Sequence, residues 1–279
     1  MSKHTRTSIE NELIAQSMGW SFLYKIPAIN RQGETDGERE RMSEVFAGWA
    51  ADNFVDFAKG IRKYHREKSK SADVNPERPY RVENHHGELQ RSSDEKSREK
   101  NIAYEMFKIS NSEMPNWAIG KVVDYEVPLK ESQSDHIGNV DLVSRKGNTL
   151  YILELKKPES KETLLRCILE AYTYLRSIGD LNKFKRSFVE SDAEVEHVTI
   201  KIAPLIFVNS NAHASPWQNL QEDNTQLKKL VRKIERGNID HGIQGVPVEI
   251  MCIDAGDMPE NERLAKMDIA KWVISKVKI

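Results

Sequence analysis

The sequence predicts an α/β protein in which a mixed β-sheet is flanked by helices and preceded by an N-terminal helical extension. Some segments carry apolar residues at helical spacing, and others are short runs of β-branched and aliphatic residues between turn residues. From residue 93 onward the two kinds follow the order helix, three strands, helix, strand, helix, strand, helix. An antiparallel meander that leads into a crossover has this order.

The first 91 residues are predicted to be helical and to end in a polar linker, and residues 92–279 to form the main domain. Residues 7–18 form the first predicted helix, and residues 38–68 form a longer one with aromatic residues at helical spacing. Such a stripe indicates a core or a partner surface, which leaves a homodimer open. Residues 69–93 are polar, contain two prolines, and are predicted to form a long loop.

The central stretch of the chain, residues 138–157, is predicted to form a β-hairpin. Lys146, Gly147 and Asn148 separate two apolar runs, and the glycine and asparagine can adopt the positive φ that a tight turn requires. Successive side chains of a strand point to opposite faces, so Glu154 and Lys156 should share one face while Leu153 and Leu155 share the other. Charged residues within so apolar a strand need partners. Mutual pairing or an exposed edge is the alternative to a functional site.

Further elements are predicted on both sides of this hairpin. Helices are expected at residues 93–109, 160–178, 217–236 and 259–277, and strands at 121–130, 201–208 and 246–254. Glu99 falls on the apolar side of the first of these helices. A bound cation or the helix dipole would explain a carboxylate in that place.

Composition narrows the class of protein. Charged residues make up 30% of the chain, the formal net charge is −1, and no apolar run is long enough to cross a membrane. Two cysteines, Cys167 and Cys252, do not suggest a disulfide framework or a zinc cluster, so a reducing cytoplasm is the expected location. Ten Lys or Arg against five Asp or Glu between residues 145 and 186 favour a locally basic face.

The pattern of these residues resembles the PD-(D/E)XK phosphodiesterase superfamily, which has the restriction-endonuclease-like fold. Its αβββαβ core corresponds in order to residues 93–208. Its signature places an acidic residue on the second strand and (D/E)-x-K on the third, which Asp141 and Glu154-Leu155-Lys156 match. Val140 replaces the family's proline. A second Glu-x-Lys, Glu159 to Lys161, is attributed to chance, because the motif is specific only when it lies on a strand that follows an acidic strand and has a helix on each side.

The resemblance implies a Mg²⁺-dependent nuclease in which Mn²⁺ can replace Mg²⁺. Its expected substrate is DNA, with RNA as an alternative, and an endonuclease is expected over an exonuclease. The expected role is defence or repair. Asp141, Glu154, Lys156 and Glu99 would be catalytic. Asp141, Glu154, the Leu155 carbonyl and Glu99 would hold the metal. Glu170 and Tyr174 hold the spacing of the family's Gln-x-x-x-Tyr, with glutamate in place of glutamine. The residues expected to contact nucleic acid are Lys157, Lys161, Arg166, Glu170 and Tyr174.

The sequence leaves two alternatives to a nuclease open. The first is a nuclease-like fold without catalysis that binds nucleic acid or supports an assembly. The second is an interaction protein whose working surface is the aromatic helix at residues 38–68.

Overall fold

The computed structural model describes residues 36–66, 78–86, 98–129, 138–208, 216–221, 224–256 and 268–279. The predicted helix at residues 7–18 lies outside these ranges. Within them the chain is a mixed α/β protein, as predicted, with a six-stranded mixed sheet flanked by helices. None of the helices in these ranges combines the length and the hydropathy needed to span a bilayer.

The sheet contains antiparallel and parallel pairs. Its strands are β1 (Lys121–Pro128), β2 (Asn139–Lys146), β3 (Thr149–Leu155), β4 (Thr199–Phe207), β7 (Ile250–Asp254) and β8 (Val273–Val277), in that spatial order. The β1–β2, β2–β3 and β7–β8 pairs are antiparallel, and β3–β4 and β4–β7 are parallel. Two short strands, β5 (Gly237–Asn238) and β6 (Ile243–Gln244), form a separate ribbon.

Helices connect and cover these strands. They are α1 (Asp36–Asp52), α2 (Phe54–Arg66), α3 (Arg98–Ser112), α4 (Leu164–Ser177), α5 (Leu181–Ser187), α6 (Asp192–Val195), α7 (Pro216–Leu220) and α8 (Thr225–Arg236). Alternating strand residues build an apolar core on each face of the sheet. One core contains residues of α1, α2, α4 and α8, and the other contains residues of α3 and the segment around Trp272.

The predicted helix at residues 259–277 is wrong over its described part. Residues Ile269–Lys271 form a 3₁₀ turn, and Val273–Val277 pair with β7 as strand β8. The predicted helix at 38–68 is divided at Asn53, whose side-chain amide donates to the Trp49 carbonyl at 3.0 Å. The predicted helix at 217–236 is likewise divided into α7 and α8.

The segments before residue 98 pack against the rest of the chain. Phe46 and Phe57 are fully buried in the core that α4 shares. The carboxylate of Glu44 on α1 accepts hydrogen bonds from the backbone of Gln226 and Leu227, at 2.8 and 3.1 Å, and so caps the positive N-terminal end of α8. His85, in a 3₁₀ turn, lies 2.8 Å from the buried carboxylate of Asp124 on β1.

Candidate active site

The β2–β3 hairpin places Asp141 and Glu154 side by side. Leu142 pairs with Leu153, so Asp141, one residue earlier, lies beside Glu154, one residue later, in the antiparallel register. The backbone N–H of Leu155 donates to Asp141 Oδ2 at 2.8 Å and fixes the carboxylate at the edge of β3. The turn consists of the two residues Gly147 and Asn148, and Gly147 has a φ of 55°. Lys146, which was predicted to lie in the turn, ends β2 and pairs with Thr149.

Strand alternation separates the charged from the apolar side chains of β3, as predicted. Leu153 and Leu155 lie in the core on the α3 face of the sheet. Glu154 and Lys156 point to the other face, where Lys156 meets Glu170 of α4. Both charged side chains are about 4% exposed, so their charges are compensated inside the protein and not by solvent.

Three carboxylates surround the ammonium group of Lys156. Its Nζ lies 2.5 Å from an oxygen of each of Glu154, Glu162 and Glu170. An ammonium has three N–H groups, so each carboxylate can receive one of them. The three carboxylates raise the pKa of Lys156 well above its usual value, although burial acts in the opposite direction. Lys156 therefore carries a positive charge at neutral and acidic pH.

Arg166 supplies a second cation next to this cluster. Its guanidinium contacts Glu162 at 3.1 Å and Glu170 at 3.0 Å, each four residues away along the chain. Lys156 and Arg166 thus form ion pairs with three carboxylates, those of Glu154, Glu162 and Glu170. Asp141 on β2 has no ion-pair partner within the described ranges. With all four carboxylates ionised, negative charge would exceed positive charge by two at this edge of the sheet.

The surroundings divide the carboxylates into two kinds. Burial raises the pKa of Asp141 to about 8, although Lys156 and the Leu155 N–H lower it. Burial and the adjacent carboxylates of Asp141 and Glu170 likewise raise the pKa of Glu154 well above its usual value. Burial would also raise the pKa of Glu170, but Lys156, Glu154 and Arg166 outweigh it and lower it to about 2. The pKa shifts therefore have opposite directions: Glu170 is stabilised in its ionised form, whereas ionisation of Asp141 and Glu154 is disfavoured when no further cation is present.

Glu99 approaches the same edge from the first turn of α3. Its Oε1 accepts a hydrogen bond from the backbone N–H of Lys157 at 3.1 Å, which ties the start of α3 to the chain just beyond β3. Burial raises the pKa of Glu99, although Lys156 and the Lys157 N–H lower it. Glu99 therefore borders the Asp141–Glu154 pair.

Two further carboxylates at this edge were not predicted from the sequence. Glu162 precedes α4. The sequence feature that could have predicted its place is spacing, because Arg166 lies four residues after Glu162 and four before Glu170. Glu126 lies on β1, where its charge raises the pKa of Asp141. It has an unusual φ of 47° and accepts a hydrogen bond from Asn139 at 3.1 Å. No sequence spacing points to Glu126, because its position depends on how β1 pairs with β2.

The five residues expected to contact nucleic acid have different surroundings. Lys157 is 42% exposed beside Glu159, and Lys161 is also exposed. Arg166 and Glu170 are held in the buried cluster by their ion pairs. Tyr174 is partly buried against the core. Within this set, only Lys157 and Lys161 present exposed cationic side chains.

The residues present fit a divalent cation held by two carboxylates. Glu154 Oε2 is buried and has no hydrogen-bond partner among the described residues. It belongs to the carboxylate that lies beside Asp141, and hard cations such as Mg²⁺ prefer oxygen ligands. No group of three or more His, Cys, Asp or Glu side chains within the described ranges is arranged as a metal site. Water and substrate oxygens would complete the coordination, as is usual for Mg²⁺.

No protein-family model, curated protein or solved structure matches this chain. The resemblance to the PD-(D/E)XK superfamily therefore depends on the motif residues and the order of the elements.

Proposed function

We propose that this protein is a metal-dependent nuclease that hydrolyses phosphodiester bonds in DNA, with a restriction-endonuclease-like core. The observation that supports this most is the convergence of Asp141, Glu154 and Lys156 at one sheet edge. The order α3, β1, β2, β3, α4, β4 agrees with the αβββαβ order of that core. Cleavage during defence or repair would use this chemistry equally well.

Asp141 and Glu154 would hold Mg²⁺, with the carbonyl of Leu155 next to them and Glu99 acting directly or through water. Their raised pKa values agree with this role, because a bound cation would stabilise the ionised form of two adjacent carboxylates that burial and mutual repulsion destabilise. When bound, Mg²⁺ would polarise the scissile phosphate and lower the pKa of the attacking water.

Lys156 would offset the charge that develops on the phosphate. Its contacts with Glu162 and Glu170 hold the ammonium at a fixed position next to Glu154. A positively charged group that is positioned before the reaction stabilises the transition state without reorganisation. Lys157 and Lys161, the exposed cations near this edge, would contact the backbone phosphates of DNA.

The direct experiment incubates the purified full-length chain with linear and circular DNA, single- and double-stranded, in Mg²⁺, Mn²⁺ or EDTA. We expect cleavage with either metal and none in EDTA. Cleavage of circular DNA would identify an endonuclease. Asp141→Asn should reduce the rate by about a hundredfold or more, because it removes a charged ligand at nearly constant volume. Asp240→Asn, which changes an exposed carboxylate on a different element, is the matched control. Equal rates for the two variants would refute the assignment.

One observation favours a second candidate, a nuclease-like module that binds nucleic acid without cleaving it. The ammonium of Lys156 already lies within ion-pair distance of three carboxylates of the protein, an arrangement that a purely structural ion-pair network would also have. DNA binding that is equal in EDTA and Mg²⁺, with no cleavage of any substrate, would support this candidate over the enzyme.

A further inference from the structure

A cavity of about 390 Å³ lies at the end of the sheet where β1 begins and β2 ends. We call it the basic cavity, because its lining includes Arg78, Arg81, Lys121 and Arg145 but only one carboxylate, Glu190. Arg145 is four residues from Asp141 along β2, which corresponds to roughly 13 Å of extended strand. The basic cavity is therefore separate from the candidate active site. Its volume is within the usual range for a small-molecule site.

Two of its cations face each other across adjacent strands. Lys121 on β1 pairs in register with Arg145 on β2, so their side chains leave the same face of the sheet. Like charges in directly opposite positions destabilise a sheet. Arg145 is compensated by Glu194 at 2.5 Å. Lys121 is exposed and has no carboxylate within ion-pair distance in the described ranges. A bound anion would relieve this repulsion.

The arginine side chains of the basic cavity are fixed by contacts with the protein. Arg145 Nε donates to the Gly147 carbonyl at 3.1 Å, and Arg78 Nη2 donates to the Val189 carbonyl at 3.2 Å. These two bonds orient the guanidinium groups. Groups that are oriented before binding lose less conformational entropy when a ligand arrives. Guanidinium groups in this state are well suited to phosphate oxygens.

The rest of the lining is partly apolar. Phe188 and Val189 contribute to it and belong to the same core as α4. A site with cations on one part and an aromatic ring on another is suited to a ligand that has a phosphate group and an organic portion. Inorganic phosphate alone would occupy only a fraction of about 390 Å³.

We propose that the basic cavity binds a phosphate ester of about mononucleotide size. Its phosphate group lies between Lys121 and Arg145, and its organic portion lies against Phe188. This inference does not depend on the nuclease assignment, because it uses none of the residues at the other end of the sheet.

The test measures binding to the full-length chain by isothermal titration calorimetry. AMP, pyrophosphate and adenosine are the small probes, and a single-stranded dodecanucleotide without terminal phosphates is the polymeric probe. We expect AMP and pyrophosphate to bind, and adenosine to bind at least about tenfold more weakly. Lys121→Glu should weaken AMP binding by about tenfold or more at low salt, because it replaces attraction by repulsion.

Lys108→Glu is the matched control, since it makes the same charge change at an exposed position on α3 outside the lining. Circular dichroism checks that both variants keep the parent fold. The absence of AMP and pyrophosphate binding at millimolar concentration would overturn the proposal, as would equal AMP affinities for the two variants. Binding of the dodecanucleotide alone, weakened by Lys121→Glu, would assign the phosphate to a nucleic-acid backbone and overturn the small-ligand assignment.

Discussion

Replacing Lys156 by methionine removes the positive charge at the centre of the candidate active site and keeps an unbranched side chain of similar length. Nζ contacts three carboxylates at 2.5 Å, and the side chain is 4% exposed. Removing one partner of a buried ion pair typically costs about 3–5 kcal/mol, because the remaining charges stay buried without compensation. We expect Lys156→Met to lower the free energy of unfolding by an amount in this range near neutral pH.

The loss should depend on pH in a defined direction. Burial raises the pKa of Glu170, but Lys156 and its other partners lower it from 4.5 to about 2. A carboxylate with a lowered pKa stabilises the fold above its unfolded pKa, and this stabilisation disappears as the pH falls through the folded value. Lys156 itself stays charged over this range. The difference between parent and variant should therefore be largest above about pH 5 and should shrink as the pH falls toward 2.

Urea denaturation followed by circular dichroism at several pH values measures both effects. Lys201→Met is the matched control. Lys201 lies 2.8 Å from Glu249, which retains Lys276 at 2.7 Å as a second partner, so the expected loss is below about 1 kcal/mol. Adding Mn²⁺ should restore part of the stability of Lys156→Met, because a bound cation would compensate the buried carboxylates that have lost the ammonium group. Equal losses for the two variants, or a Lys156→Met loss that is independent of pH, would refute the reasoning.

The remaining predictions concern stability and use the same denaturation assay. Gly120→Ala should cost about 2 kcal/mol or more, because Gly120 has a φ of 71° and an added Cβ would lie 2.2 Å from the Arg145 carbonyl oxygen; a neutral effect would contradict that geometry. Asp124→Asn should cost about 1–3 kcal/mol, because Asp124 is fully buried and bonded to His85 and to the backbone of Val82 and Tyr125; a loss under about 0.5 kcal/mol would argue against it. Phe57→Ala should cost about 3–5 kcal/mol in a single transition, because Phe57 is buried in the core shared with α4; a separate early transition would show that α1 and α2 unfold independently.

The hairpin could be predicted from the sequence because its information is local. Gly147 and Asn148 supply the turn, and alternation on β3 determines which side chains share a face. The register then depends on the length of the turn: two turn residues bring Asp141 beside Glu154, whereas three would have brought it beside Leu153. The coarse α/β class followed in the same way from the order of the periodic segments.

The elements that were missed depend on distant partners. Val273–Val277 has only five residues, and a short apolar run can fit a helical or a strand pattern. Pairing with β7 decides between the two. The division of the helix predicted at 38–68 is local instead: it falls at Asn53, whose side-chain amide donates to the Trp49 carbonyl four residues earlier, and the continuous apolar periodicity does not reveal it.

The candidate site could likewise be predicted where its residues lie on the hairpin, and not where they come from distant elements. Asp141, Glu154 and Lys156 lie on one hairpin and could be grouped by pattern alone. Glu126 reaches this edge only through the pairing of β1 with β2, which shifts register between Val122 and Asp124. Lys156 was expected to face substrate, and its ion pair with Glu162 required the path of the chain between β3 and α4. Contacts of this kind are set by tertiary structure and leave little trace in spacing.

The central claim is that Asp141 and Glu154 form an oxygen site for a divalent cation. It is tested most directly by the anomalous difference density of crystals grown with Mn²⁺. We expect one strong peak between the two carboxylates, at about 2 Å from an oxygen of each, and its absence in Asp141→Asn. A map without a peak there, in which the Lys156 ammonium alone accompanies the carboxylates, would contradict the account.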